Sequence, residues 1–184
     1  MITASIKKKE NIAEYLLYMW QIEDIIRANG LDIDKIQETI IDKYTDLSDS
    51  QRKDMREWYE SLIDMMRREG VVEKGHLQLN KNVIIALEDL HNRLLADQKF
   101  ASYTAQFYHT LPIIVELRAK AGENKADEIE TCFNALYGIL LLRLQGKEIS
   151  EETMQAASQI SKFLAVLSMY YKKDYNNELF NDNQ

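Results

Sequence analysis

Residues 125–145, KADEIETCFNALYGILLLRLQ, place Ile129, Phe133, Leu136, Tyr137, Leu140 and Leu144 nearly all round a helical wheel. A helix with so little polar surface to offer water belongs in the middle of others, so the stretch predicts the central helix of an all-α fold. One charge interrupts it. Arg143 falls between Cys132 and Leu136 around the axis, an expensive place for a guanidinium unless its stem lets the head reach water one turn before Gly146.

On either side, the same 3.6-residue period predicts a compact bundle of six to seven helices, with those at about 5–29, 80–96, 100–114 and 151–171 around the central one. Five of the six glycines, Gly30, Gly70, Gly75, Gly122 and Gly146, stand where an apolar period stops. In the first helix Ile12, Tyr15, Leu16, Met19, Ile22 and Ile26 share a face, and in a second, about 33–44, Ile33, Ile36, Ile40 and Tyr44 do. Ser48 followed by Gln51 has capping-box spacing, opening a helix that aligns Met55, Trp58, Tyr59, Leu62 and Met66 up to Gly70. Asn80 is placed to cap the helix carrying Val83, Leu87, Leu90 and Leu94. That arc breaks near Asp97. Phe100, Tyr103, Phe107, Leu111 and Ile114 continue in phase across the single proline, Pro112, which predicts a kink in preference to a stop. Ile160, Phe163, Leu164, Leu167 and Tyr171 line the last helix. Residues 71–79 alternate and admit a short β-hairpin. Residues 1–171 are expected to form one domain, and 172–184, polar and Asn-rich, a flexible tail.

Composition narrows the function classes. Apolar residues make up 46% and charged residues 29%, the balance of a globular protein and not of a disordered or membrane one. No apolar run approaches the roughly 20 residues needed to cross a bilayer. The net charge of −7 is spread evenly, with 12 basic and 16 acidic residues in 1–80 and 11 and 14 in 81–184, so neither half is a basic module. Nucleic acid is therefore a disfavoured partner, and the basic residues Arg52, Lys53, Arg56, Arg67 and Arg68 are interleaved with acids that cancel them. Cys132 is the sole cysteine, which excludes an internal disulfide and predicts a buried thiol in a reducing, cytoplasmic setting. Lys7, Lys8 and Lys9 are followed by polar residues, not by the apolar run of a signal peptide.

Few residues suggest chemistry. Glu88 and His91 make a Glu-x-x-His pair of the kind that begins a di-iron site, but the second pair and the further carboxylates are missing, so no metal is expected and His91 reads as a core residue. Glu57 and Glu60 could begin a magnesium site, yet both face away from Met55 and Leu62, as solvated residues do. Glu23 lies inside the apolar arc of the first helix; a buried carboxylate paired with a guanidinium such as Arg143 would limit its cost. Tyr103 and Phe107, with Tyr108, Tyr15, Tyr18 and Trp20, could line a ligand cavity, though aromatic residues at helical spacing are more often core. The candidate ligand-binding set is Glu23, Arg143, Tyr103 and Phe107. There is no phosphate loop, nucleophile elbow or His-Glu-x-x-His.

The stretch Asn11, Ile12, Ala13, Glu14, Tyr15, Leu16, Leu17, Tyr18, Met19 and Trp20, with Glu23, Asp24, Ile26 and Arg27 after it, resembles a family of uncharacterised proteins from Bacteroides and relatives, over nearly the whole chain. That family is a domain of unknown function. The resemblance implies a cytosolic helical protein and assigns no cofactor and no residue a role. With no complete catalytic set, the leading reading is a non-enzymatic interaction or regulatory protein, working with a protein partner or as a homo-oligomer. A bundle that binds a metal or small ligand through its core is the alternative, and a nucleic-acid-binding regulator a lesser one.

Overall fold

The computed structural model describes residues 2–121 and 126–180. Among these there are eight α-helices and no strand: α1 (Ile2–Glu10), α2 (Ile12–Ala28), α3 (Ile33–Thr39), α4 (Asp49–Arg68), α5 (Gln78–Ala96), α6 (Ala101–Lys120), α7 (Glu128–Leu144) and α8 (Glu151–Tyr175). The class is all-α, as the apolar periods predict. Gly122 and residues 181–184 lie outside the described residues. Contacts divide the chain into two compact units, Met1–Lys8 with Glu14–Asn82, and Lys9–Ala13 with Val83–Gln184. All three boundaries fall inside helices, α1, α2 and α5.

The helix expected over 5–29 is two, α1 and α2. Asn11 interrupts it by accepting a hydrogen bond from Ala13 N–H at 3.0 Å, the way an Asn caps a new helix. The predicted face of α2 is nonetheless the buried one, from Tyr15 through Leu16, Met19 and Ile22 to Ile26. After Gly30, Leu31 holds a left-handed backbone (φ 57°), and Arg67 Nη2 donates to its carbonyl at 3.0 Å. Such a conformation costs a side-chain-bearing residue roughly 1–2 kcal/mol. Tyr44 is exposed, contrary to its predicted place on a buried face. The helix stops at Thr39, and a 3-10 turn over Ile41–Lys43 buries Ile41 instead. Ser48 and Gln51 form the full capping box, and α4 buries Met55, Tyr59, Leu62, Ile63 and Met66. It closes where Gly70 N–H bonds Arg67 O and Val71 N–H bonds Met66 O, a pair that requires the left-handed residue glycine supplies at φ 69°.

The hairpin at 71–79 is not formed: 71–77 is an irregular connection. Several of its backbone groups bond to side chains. Arg27 Nη2 donates to Val71 O at 3.1 Å and also to Gly75 O, and Glu23 Oε1 accepts from Leu77 N–H at 2.9 Å. Alternation in the sequence here marks which residues anchor the connection; Val71 and Leu77 are buried.

In the second unit α6, α7 and α8 pack on one another. Asp97 caps a 3-10 turn (Gln98–Phe100) where the apolar arc was expected to break. Pro112 lies inside α6, which continues to Lys120. The burial of α7 is uneven. Ile129, Cys132 and Phe133 are wholly enclosed, whereas residues 138–142 are half-buried and Leu144 is 69% exposed, so a central position describes only its first half. The last helix, α8, extends beyond 171 to Tyr175, carrying part of the predicted tail into helix. Asp174 takes a bidentate pair of bonds from Arg93 at 2.7 and 3.1 Å, and Phe180 stacks under the same guanidinium at 4.2 Å and beside Phe100 at 5.5 Å.

Candidate functional site

The sequence-derived candidates occupy several places. Glu23, wholly buried, belongs to the first unit. Its Oε2 lies 2.6 Å from His76 Nδ1, and its Oε1 accepts from Leu77 N–H and, at 2.7 Å, from Asn80 Nδ2. A carboxylate accepts only, so His76 presents Nδ1–H to it. The imidazole stacks on Trp20 with 4.2 Å between ring centroids and 13° between planes. The partner of Glu23 is thus His76, 53 residues away, and not Arg143. Asn80, expected to cap α5, lies in its first turn and turns its amide to Glu23; Glu69 Oε2 takes up Gln78 N–H at 2.6 Å. Two carboxylates from other helices therefore satisfy amides that α5 leaves free at its start, and their charge suits the positive end of its dipole. Within the first unit this arrangement ties α2 and the end of α4 to the first turn of α5. His76 and Asn80 were missed as partners because only Glu23, out of place in an apolar arc, signalled them.

Tyr103 and Phe107 lie in the second unit and close around His91. His91 Nδ1 is 2.6 Å from Tyr103 Oη, and the ring meets Phe107 edge-on at 4.6 Å and Phe163 at 6.0 Å. Burial lowers the His91 pKa, with Glu128 pulling the other way. It pushes the Cys132 thiol up to about 12, with Glu128 adding to the rise. This is a filled aromatic core holding a neutral ring and an unreactive thiol.

Glu88 does not join His91. Its carboxyl is pushed up to about 7, first by burial and then by Asp127, Glu130 and Glu128, and Asp127 hydrogen-bonds to it. Glu88 is half-buried, and its Oε1 is enclosed with no partner. Among the described residues no three His, Cys, Asp or Glu side chains are grouped to hold a metal ion. Glu57 and Glu60 are exposed, paired with Lys53 at 3.8 Å and Arg56 at 3.3 Å. Three basic residues of α4 are engaged within the protein: Arg52 with Leu47 O, Arg56 with Asp34 at 2.7 Å, and Arg67 with Leu31 O.

Arg143 is exposed and donates to Met154 Sδ at 3.2 Å. It shares a helical face with Leu136, Leu140 and Leu144, the first two half-buried and the third largely bare. A thioether is a weak acceptor, so the guanidinium keeps most of its capacity for a carboxylate. Arginine, methionine and leucine thus lie together at the outer end of α7.

Among the described residues no helix is long and apolar enough to cross a membrane. No curated protein and no solved structure matches the chain. Residues 1–178 match the family described as Domain of unknown function (DUF4924), and the chain belongs to that family.

Proposed function

We propose that the chain is a non-enzymatic helical interaction protein of the cytoplasm, pairing with a second copy of itself through the second half of α7. The observation that carries this reading is the largely bare Leu144 with exposed Arg143 and Met154, continuous with half-buried Leu140. Leaving leucine in water forfeits roughly 1.5–3 kcal/mol per side chain that burial would return. A two-fold interface needs a patch complementary to itself. This one holds both signs within a short stretch: Arg143 and Lys147 at the end of α7, Glu148, Glu151 and Glu152 at the start of α8. A single, enclosed Cys132 suits a reducing compartment.

Sedimentation velocity across a concentration series tests the reading. A monomer–dimer equilibrium is expected, with Leu140→Glu and Leu144→Glu each shifting it to monomer while helicity by circular dichroism is unchanged. A wild-type chain that stays monomeric throughout, or dimers indifferent to both substitutions, would refute it.

A further inference from the structure

On another face of the second unit, α6 and α8 bound a groove of about 430 Å³ lined by Gln106, His109, Gln155, Ser158, Gln159 and Lys162. Its volume is in the range of small-ligand sites, roughly 300–1,000 Å³. The lining contains one cation and no carboxylate, on a chain with 30 acidic and 23 basic residues. Gln155 is held from outside this set by Glu151 at 3.4 Å.

The geometry also settles which way the imidazole faces. Gln159 Nε2 donates to the backbone carbonyl of His109 at 2.5 Å and lies 2.8 Å from His109 Nδ1. A carbonyl can only accept, so the amide orientation of Gln159 is fixed with its NH₂ toward His109. The ring nitrogen facing that NH₂ must then accept as well, which leaves Nδ1 bare and puts the proton on Nε2. His109 then carries its N–H on Nε2, held by Gln159, in a groove that Lys162 and Ser158 also line. Donors and one positive charge without a competing carboxylate suit the oxygens of an anion.

We infer that the groove between α6 and α8 binds a small oxyanion, a carboxylate or a phosphate, through His109 Nε2–H, Lys162 and Ser158. One lysine is too little for a nucleic-acid backbone, whose affinity comes from many phosphate contacts, so the ligand is a small molecule. This site shares no residue with the α7 face proposed for pairing, and either proposal can fail without the other.

The experiment is a titration of the full chain with inorganic phosphate, with acetate and with chloride at matched ionic strength, followed in ¹⁵N-resolved NMR spectra. Saturable shifts at His109, Ser158 and Lys162 are expected with phosphate, acetate or both, and the anion that produces them identifies the class. His109→Ala and Lys162→Gln, both at exposed positions, should each weaken binding roughly tenfold, the usual effect of losing a charge-assisted bond. The imidazole nitrogens should report a bare Nδ1 and a protonated Nε2 in the wild type, with mixed tautomers in Gln159→Ala. Chloride giving the same shifts, no saturation with either oxyanion, affinity unchanged in both variants, or a protonated Nδ1 with a bare Nε2 would each overturn the inference.

Discussion

Glu23 in the first unit and Glu88 in the second are both helix carboxylates drawn out of water, and their surroundings are opposite. Glu23 is met by three donors, from His76, Leu77 and Asn80. Glu88 is met by other acids, Asp127, Glu130 and Glu128, and one of its oxygens is enclosed with no partner. One turn beyond Glu88 on the same helix, His91 avoids the difficulty by being a neutral ring bonded to Tyr103. The difference teaches that burial alone does not fix the worth of a polar group: the count of complementary partners does.

The largest effect should come from removing the better-served carboxylate. Glu23→Ala strands the amide of Leu77 and the side chains of Asn80 and His76, and is expected to cost about 3 kcal/mol of unfolding free energy in denaturant titrations. Glu23→Gln should cost less, because an amide oxygen can still serve Leu77 and Asn80. Its NH₂ would then face His76 and switch the ring to the Nε2–H tautomer, visible by NMR. A loss near zero for the alanine variant would erase the contrast between the two centres.

A smaller loss is expected for Tyr103→Phe, which keeps the ring packed against Phe163 but leaves His91 Nδ1 alone in the core. An unmet buried polar atom of this kind costs roughly 1–3 kcal/mol. A variant as stable as the wild type would mean that the His91–Tyr103 bond adds nothing to packing.

The smallest effect belongs to Glu88, and it shows in pH dependence. Its carboxyl is raised from 4.5 to about 7, so between those values the folded chain binds a proton that the unfolded chain has released. Its contribution to stability is present in full below the unfolded value and is lost as pH rises through about 7. Glu88→Gln should remove that loss, giving a flatter stability profile from about pH 5 to 8. Profiles that superimpose for the two proteins would place the acids too far from Glu88 to matter.

How much of this was legible depends on the distance along the chain between cause and partner. Ser48 with Gln51 and the glycine after α4 announce themselves because the bonds they make are within one turn. The buried face of α2 was readable for the same reason, but the break at Asn11 was not, since the apolar face carries on past it. Glu23 was conspicuous while His76 was not: a buried carboxylate demands donors, and nothing local says which of the later residues will supply them. The hairpin was misread at Val71 to Leu77 because alternation specifies an extended chain, and only tertiary structure brings Arg27 and Glu23 to take its backbone bonds. At the candidate sites, the exposed stretch of α7 was anticipated as buried, since a helix apolar on every side carries no mark of where its cover stops. The groove lined by His109 and Lys162 depends on α6 meeting α8, which no single segment encodes.

The clasp of Arg93 on Asp174 and Phe180 has a bearing on synthesis. Arg93 and Asp174 stand 81 positions apart. At about 5–20 residues per second, the ribosome delivers Asp174 on the order of 4–16 s after Arg93, far longer than a helix takes to form. Throughout that interval the nascent chain holds α5 with its guanidinium and the neighbouring Phe100 uncovered. For those seconds the place that α8 will later claim stays open.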